Sequence, residues 1–431
     1  MNPVLKSNNY IPDVEARAMP DGKVYLYGSR DNAGDTEFCS TQYQTFSSKD
    51  LVHWDDEGVI FDSTEEQYGI NNGLTLGAPD CVYYEGNYYL YYCMYGNHMG
   101  VAVSNSPAGP FKNLGHVVPA DGQSIDPAVL VDDDGSCYYF WGQFSLQGGK
   151  LDKDMKTVIP ETITSNILTE HEQGFHEGAS IRKINGIYYL TYTDISRGRA
   201  SCLAYATAKS PLGPYQKRGI IIDNTGCDSG DWNNHGSIEM IHGKPYVFYH
   251  RSSQNSIYNR RVCIEPLSMD DHGNIAEVPM TSNGVEDHFP INMPVNVRHL
   301  SRMRLKLPFD SLIQPMSLMP SHDSEILAYT RNQDWVQFDR IDLGYNCQAV
   351  EISAASPKPM IVEFWIENNC KIGQVVVDAT GSDWHNYQTF SGQIKATSGI
   401  HTVWLRIVAN NNAVGRLGNI ENFCFRGQAN E

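Results

Sequence analysis

Three acidic residues share one position relative to a turn glycine. Each lies nine residues ahead of it, in the pairs Asp13–Gly22, Asp126–Gly135 and Glu177–Gly186. An equal offset predicts equivalent places in a repeated unit, so we expect the three carboxylates to converge around one axis. Converging carboxylates raise one another's pKa, an arrangement that is typical of functional sites.

Glycoside hydrolysis is the chemistry that needs such a set. A protonated acid donates to the leaving oxygen, a second carboxylate activates water on the opposite face, and a third can keep the pKa of the acid high. A single aspartate or glutamate at the start of a strand is more often a turn cap than a catalytic residue. The offset shared by all three residues makes the catalytic interpretation the better one. Glu15, on the same strand face as Asp13, is a rival for its role, and Asp80, six residues before Gly86, is expected deeper along its strand.

The elements that carry these residues recur five times. A turn and an aromatic strand repeat as "DGKVYLYGS", "EGNYYLYYCM", "DGSCYYFWG", "NGIYYLTYT" and "HGKPYVFYH", with successive glycines 64, 49, 51 and 57 residues apart. An apolar run precedes each turn, which predicts hairpins. One four-stranded sheet per repeat, arranged radially, predicts an all-β, five-bladed β-propeller.

The texture of the chain changes near residue 290. We predict a propeller over residues 1–290, a linker over 291–302 and a β-sandwich (jelly roll) over 303–431. Short strands at regular spacing, such as "DWVQFDRIDLG" and "HTVWLRIVA", support the second domain.

Composition limits the partners. The 431 residues carry a net charge of −18 without a basic stripe, so nucleic acid and membrane surfaces are not expected partners. Ten scattered cysteines without a CxxC motif predict buried thiols in a reducing compartment. The N-terminal residues lack an apolar signal, so we expect a cytoplasmic protein, or a secreted one if a signal has been removed.

The motifs "YIPDVEAR", "SIDPAVLVDDDG", "HEGASIRKINGIYYLTYT" and "NNHGSIEMIHGKPYVFYHR" together resemble glycoside hydrolase family 43, a family of five-bladed propellers. The resemblance implies an inverting mechanism, with Asp13 as general base, Asp126 as the residue that tunes and orients the acid, and Glu177 as general acid. It also implies substrate contacts from Arg251 and His235 and a structural calcium or other cation near His235, while no organic cofactor is required. The chain departs from the family's usual aspartate–proline pair, because Val14 follows Asp13.

Aromatic residues are candidates for a sugar platform. Trp141 and Phe175 are kept as substrate-binding candidates together with Tyr95, although we favour packing in the blade cores for all three. The C-terminal domain resembles a family 6 carbohydrate-binding module, through "AYTRNQDWVQFDRIDLG", "GQVVVDATGSDWHNYQTF" and "LGNIENFCF". That resemblance implies a sugar site at Tyr329, Trp384 and Asn419, or else a domain that only buttresses the propeller.

The combined prediction is an inverting, exo-acting glycosidase. It would release β-D-xylose or α-L-arabinofuranose from plant cell-wall oligosaccharides or polysaccharides such as arabinoxylan fragments. The alternatives are a non-catalytic glycan-binding propeller, a protein-interaction scaffold, an endo-acting arabinanase or xylanase or a galactosidase of the same family, and a retaining five-bladed hydrolase.

Overall fold

Five small antiparallel sheets form a closed ring in the N-terminal domain. The structure, a computed structural model, describes residues 1–6, 8–96, 98–118, 124–304, 314–321, 324–410 and 413–428. The first strand of each sheet packs against the first strands of its two neighbours, so that the five first strands surround a common axis. The predicted five-bladed propeller is confirmed.

The blades contain three or four strands each. Blade 1 comprises β1 (Glu15–Ala18), β2 (Val24–Tyr27), β3 (Gln42–Ser48) and β4 (Asp55–Asp62). Blade 2 comprises β5 (Asp80–Tyr84), β6 (Asn87–Met94), β7 (His98–Ser104) and β8 (Lys112–His116). Blade 3 comprises β9 (Ala128–Val131), β10 (Cys137–Trp141) and β11 (Gln147–Lys150). Blade 4 comprises β12 (Phe175–Ile184), β13 (Ile187–Asp194), β14 (Cys202–Ala208) and β15 (Gln216–Asp223), and blade 5 comprises β16 (Ser237–Ile241), β17 (Lys244–Ser253) and β18 (Ser256–Pro266).

The five predicted turns join the first and second strands of the five blades. Their glycines all have a positive φ, between 76° and 87°, at Gly22, Gly86, Gly135, Gly186 and Gly243. A Cβ atom at any of the five would meet no heavy atom within 4 Å. The left-handed backbone, and not crowding, is therefore what favours glycine at these turns.

Ion pairs between the first strands fill the central channel. Arg182 Nη2 lies 2.8 Å from Glu15 Oε2, and its Nε lies 2.7 Å from Glu239 Oε2. Arg17 Nη2 lies 2.6 Å from Asp80 Oδ2. Glu15 and Asp80 thus serve this buried network, which links the first strands of four blades.

The N-terminal residues close the ring beside blade 5. The amide of Val4 donates to the carbonyl of Val262 (3.1 Å), and the amide of Ile264 donates to the side-chain oxygen of Asn2 (2.9 Å). The first residues of the chain therefore run along β18 and tie the last blade to the first.

The C-terminal domain is a β-sandwich, as predicted. One sheet contains β20 (Arg302–Arg304), β23 (Trp335–Asp342), β28 (Ile400–Ala409), β25 (Met360–Ile366) and β26 (Cys370–Val377). The other contains β27 (Gln388–Thr397), β24 (Tyr345–Ala355), β29 (Asn419–Gln428), β22 (Ser324–Ala328), β21 (Ser317–Ser321) and β19 (Val295–Asn296). The sheets meet where Gly373 pairs with Ile394, and they enclose an apolar core that includes Val336, Phe364 and Phe423.

The two domains share direct contacts. The amide of Gln254 donates to the carbonyl of Leu318 (2.9 Å), and the buried Arg261 Nη1 lies 2.6 Å from Glu325 Oε2. The segment predicted as a linker, residues 291–302, includes β19, which pairs with β29 of the sandwich. The domain limits themselves stay a prediction.

Helical structure is scarce in the described part of the chain. It consists of α1 (Glu170–Gln173) and three 3-10 turns, at Glu66–Tyr68, Pro160–Thr162 and Val297–His299. None of these is long and apolar enough to cross a membrane. The ten cysteines are free thiols, as predicted, and all but Cys370 are buried.

Candidate active site

A cavity of about 390 Å³ lies at the mouth of the propeller axis. The three predicted carboxylates line it, and their residues are only 4–7% exposed. The other residues in its wall come from all five blades or their connections. They include Phe38, Tyr95, Gln143, His176, Trp232, His235 and Arg260. The shared offset of the three carboxylates therefore predicted their convergence correctly.

Unusual backbone geometry turns the three carboxylates toward the cavity. Asp13 and Asp126 each lie two residues before a first strand and have left-handed φ angles of 56° and 54°. Glu177 lies within β12, at an irregularity in its pairing with β13, and the next residue, Gly178, has a φ of 67°. Such conformations cost free energy and persist only where the surrounding structure holds them, as it often does at active sites.

Asp13 is held by a buried arginine that the sequence analysis missed. Arg260 Nη1 donates to Asp13 Oδ1 (2.7 Å), while its Nε and Nη2 donate to Asp31 (2.9 and 2.8 Å). The Ser29 hydroxyl also donates to Asp13. Burial, the largest single effect, raises the pKa of Asp13, but Arg260, the two neighbouring histidines and the Ser29 hydroxyl together lower it below its ordinary value.

Two histidines face the same carboxylate. The Nδ1 atoms of His235 and His250 lie 3.6 and 3.7 Å from Asp13 Oδ1. Burial lowers the pKa of both rings, that of His250 to about 3. Both imidazoles are therefore neutral near pH 7, and Arg260 is the cation that balances Asp13.

The residues around His235 do not form an oxygen-rich site for the implied calcium ion. The described residues contain no group of three or more histidine, cysteine, aspartate or glutamate side chains arranged to bind a metal ion. Ca²⁺ prefers six to eight oxygen ligands, whereas His235 faces a carboxylate that Arg260 already binds. The donors in this wall do not fit such an ion, and no step below depends on it.

Asp126 and Glu177 form the other side of the site. The amide of Gly178 donates to Asp126 Oδ2 (3.0 Å), so Asp126 fixes the backbone beside Glu177. Gln143 Nε2 donates to Glu177 Oε2 (2.6 Å). Burial, followed by the charges of Glu177 and Asp13, raises the pKa of Asp126 well above its ordinary value. Burial and the neighbouring carboxylates therefore favour the protonated form of Asp126.

Arg251 does not reach this cavity, which corrects its predicted substrate contact. Its side chain is 1% exposed and donates to the Tyr249 hydroxyl (2.9 Å) and to the carbonyl of Thr281 (2.7 Å). Successive residues of a strand face opposite sides. Arg260 pairs across the sheet with Ser252, next to Arg251, and so lies on the cavity face.

The aromatic candidates lie in two different environments. Trp141 and Phe175 are 3% and 0% exposed, pack on Tyr139 and Tyr192, and lie outside the cavity wall. They belong to the blade cores, so their place among the substrate-binding candidates was wrong, whereas the packing role that we favoured is confirmed. Tyr95, by contrast, lines the cavity and is 57% exposed, so the packing role that we favoured for it was wrong. Phe38, Trp232 and His176 add further ring surface to the wall.

The three predicted sugar-binding residues of the sandwich lie near one edge. Asn419 Nδ2 donates to the carbonyl of Trp384 (3.0 Å). The Arg416 guanidinium stacks on Tyr329 at 4.0 Å, and Tyr329 lines a second cavity, at the junction with the propeller. Sugar binding by this set stays a prediction.

Known proteins share both domains. Residues 314–427 match the model of the carbohydrate binding module (family 6). A xylosidase/arabinosidase of Thermoclostridium stercorarium is 33% identical over 327 residues, which cover 66% of this chain and 68% of the relative. An arabinoxylan arabinofuranohydrolase of Bacillus subtilis (strain 168) is 26% identical over 94% of this chain and 88% of its own length.

A solved structure of the same kind of enzyme is also similar to this chain. A family 43 β-xylosidase/α-arabinofuranosidase from a compost microbial metagenome, in complex with xylotriose, is 29% identical and superposes with a TM-score of 0.56. The match covers 64% of this chain and 97% of that one. Residues 1–275, which hold all five blades and the three carboxylates, match the model of glycosyl hydrolases family 43. The chain therefore belongs to glycosyl hydrolase family 43.

Proposed function

We propose that this protein is an inverting, exo-acting glycosidase that releases β-D-xylose or α-L-arabinofuranose from arabinoxylan fragments. One observation carries the proposal. Three carboxyl groups line the same buried cavity: Glu177, Asp13, whose pKa is lowered, and Asp126, whose pKa is raised. The names of the relatives, xylosidase/arabinosidase and arabinoxylan arabinofuranohydrolase, support pentose as the released sugar.

The reaction needs a base and an acid on opposite faces of the sugar. Asp13 accepts a proton from water as the water oxygen bonds to the anomeric carbon. Glu177 donates its proton to the glycosidic oxygen as the carbon–oxygen bond breaks, so that the leaving sugar departs as a neutral alcohol. An inverting pair is separated by roughly 6.5–9.5 Å, which leaves room for that water.

Asp126 and Arg260 act through the other two carboxylates. Asp126 retains a proton beside Glu177 and holds the Gly178 amide, which orients the acid. Arg260 keeps Asp13 ionised and fixes its carboxylate plane together with Ser29. Both are positioning residues in this proposal.

The test is a substrate screen. Wild-type protein and Asp13→Asn are each incubated with an aryl β-D-xyloside and an aryl α-L-arabinofuranoside. We expect the wild type to hydrolyse at least one and the variant to hydrolyse neither. Glycan binding without hydrolysis after long incubation would instead support a non-catalytic propeller, and retained activity in Asp13→Asn would contradict its role as base. Release of oligosaccharides from polymer would indicate an endo-acting enzyme.

A further inference from the structure

A second cavity joins the catalytic domain to the sandwich. This junction groove, of about 620 Å³, is lined by Gly34, Asp35 and Thr36, by Gly230, by the β17–β18 hairpin residues 254–259, and by Gln314, Met319 and Tyr329. The first three come from the loop after blade 1's second strand, and the last three come from the sandwich side. Neither domain alone therefore completes it.

The groove adjoins the catalytic cavity. The ring of Phe38, in the cavity wall, contacts the ring of Tyr258, in the groove wall, with centroids 4.6 Å apart. Asn259 of the groove directly precedes Arg260 of the cavity, and its side-chain oxygen accepts from the amide of Gly34 (2.9 Å). A molecule held in one site can thus extend over these two rings into the other.

The lining suits a neutral sugar chain. Among the described residues of the wall, Asp35 is the only charged one. The ring of Tyr258 and the face of Tyr329 that Arg416 does not cover offer surface for sugar C–H groups. The side chains of Thr36 and Asn255 offer hydrogen bonds for hydroxyls. Aromatic surface with a few placed polar groups is the usual make-up of a ligand site.

Hydrogen bonds within the propeller, and one that joins it to the sandwich, hold the groove in shape. Asp228 Oδ1 accepts from the amide of Asn255 (2.8 Å), and its Oδ2 accepts from the hydroxyl of Ser317 (3.0 Å). Gln254 donates through its side chain to the Tyr10 hydroxyl (2.7 Å). Tyr329 has a left-handed φ of 61°, an uncommon conformation for a bulky side chain.

We propose that the junction groove binds the polysaccharide backbone whose terminal or branching pentose enters the catalytic cavity. This inference rests on the proposed function, since the groove would bind the rest of the substrate whose pentose is released in the catalytic cavity. The sandwich then acts as part of the substrate site, through Tyr329, and not as a separate tether.

Two variants and one control test the groove. Thr36→Trp places a bulky ring in it, Tyr329→Ala removes the ring that the sandwich supplies, and Tyr345→Ala removes a sandwich ring that is 63% exposed and lies outside the groove. For each protein, kcat/KM is measured on soluble arabinoxylan and on an aryl pentoside too short to reach the groove. We expect the ratio of polymer to aryl pentoside to fall about tenfold in Thr36→Trp and about fivefold in Tyr329→Ala, with no change in Tyr345→Ala.

Binding separates the groove from catalysis. The Kd for unsubstituted xylohexaose is measured by calorimetry for Asp13→Asn and for the same variant carrying Thr36→Trp or Tyr345→Ala, because the loss of the base should leave the oligosaccharide intact. A Kd raised at least tenfold only in Thr36→Trp supports the groove, even if the wild type hydrolyses no pentoside and the proposed function fails. An unchanged Kd in Thr36→Trp, or an unchanged kcat/KM ratio in both groove variants of an active enzyme, overturns the inference.

Discussion

Two kinds of carboxyl group lie in one small cavity because their neighbours differ. Asp13 accepts hydrogen bonds from Arg260 and Ser29, which favour its charged form. For Asp126, burial and then the charges of Glu177 and Asp13 favour the protonated form, and they outweigh the Gly178 amide and the charge of Arg260. Environments that separate the pKa values of paired titratable groups are how one site supplies both a base and an acid.

Replacing Arg260 should change the pH profile of the enzyme. The base must be ionised, so activity falls as pH drops through the pKa of Asp13, which Arg260 lowers. In Arg260→Gln that pKa rises, and we expect the acid limb of log kcat/KM to move up by about 1–3 pH units. Arg260→Lys should restore part of the shift.

The matched control is Arg251→Gln. Arg251 is equally buried on the other face of the sheet, so its loss should lower stability without moving the acid limb. Equal profiles for Arg260→Gln and wild type would show that the arginine does not set the pKa of the base.

Glu177→Ala should distinguish substrates by their leaving groups. Loss of a general acid costs about 10²–10⁴-fold in rate where the leaving group needs a proton. We therefore expect kcat to fall by that factor on xylo- or arabino-oligosaccharides and far less on an activated aryl glycoside. Circular dichroism checks the fold, and unchanged turnover on the oligosaccharides would exclude Glu177 as the acid.

At the scale of elements, the irregular start of β12 places the acid. Its pairing with β13 shifts between Phe175 and Ser180, and Gly178 at the centre lies against Thr193 and His235. A Cβ atom on Gly178 would lie 2.9 Å from Thr193 Oγ1 and 3.1 Å from the His235 ring. The glycine therefore allows the acid, the Asp126 hydrogen bond and His235 to pack together.

Gly178→Ala should damage activity and stability together. Crowding and a positive φ should cost about 1–3 kcal/mol of unfolding free energy, and displacement of Glu177 should lower kcat at least tenfold. Gly186→Ala is the control, because Gly186 also has a positive φ (79°) but has open space around it. We expect it to lose about 1–2 kcal/mol with kcat unchanged. Denaturant unfolding and kinetics on both variants decide the matter, and a normal kcat in Gly178→Ala would contradict this account of the bulge.

The same elements show what the sequence could predict. The turns could be recognised in the sequence because each needs a positive φ, which glycine adopts readily. The spacing of these glycines was then enough to find the five hairpins and the nine-residue offset of the carboxylates. Arg260 could not be found in this way, because its face depends on the register of β17 with β18. For Trp141 the sequence pattern alone could not separate a core position from a cavity position. Both faces of a blade strand are buried, so the alternation of side chains does not distinguish the two.

At the scale of the molecule, the sandwich is bonded to the propeller through buried charge. Glu325 of β22 lies 2.6 Å from Arg261 of β18 and 3.7 Å from Arg298, and Glu325 is 1% exposed. Such a contact fixes the sandwich beside blade 5, which also contributes Arg260 and the hairpin of the junction groove. The position of the second domain is thereby coupled to the catalytic face.

Breaking this contact should destabilise the whole chain. Glu325→Ala removes the buried carboxylate that neutralises Arg261 and Arg298, and we expect a loss of about 3–5 kcal/mol of unfolding free energy. Glu351→Ala, which breaks a half-exposed pair with Arg426 (2.7 Å), should cost at most about 1 kcal/mol. Equilibrium urea unfolding measures both, and similar losses in the two variants would show that the domain contact contributes little.

The stereochemistry of the released sugar tests the central claim most directly. Proton NMR of the first-formed anomer, recorded during hydrolysis of an aryl β-xyloside or α-arabinofuranoside, reports whether water attacks opposite the leaving group. With Asp13 as base and Glu177 as acid, the first product is the inverted anomer, α-xylose or β-arabinose. A first product that keeps the configuration of the substrate would contradict the account, because one carboxylate would then be a nucleophile.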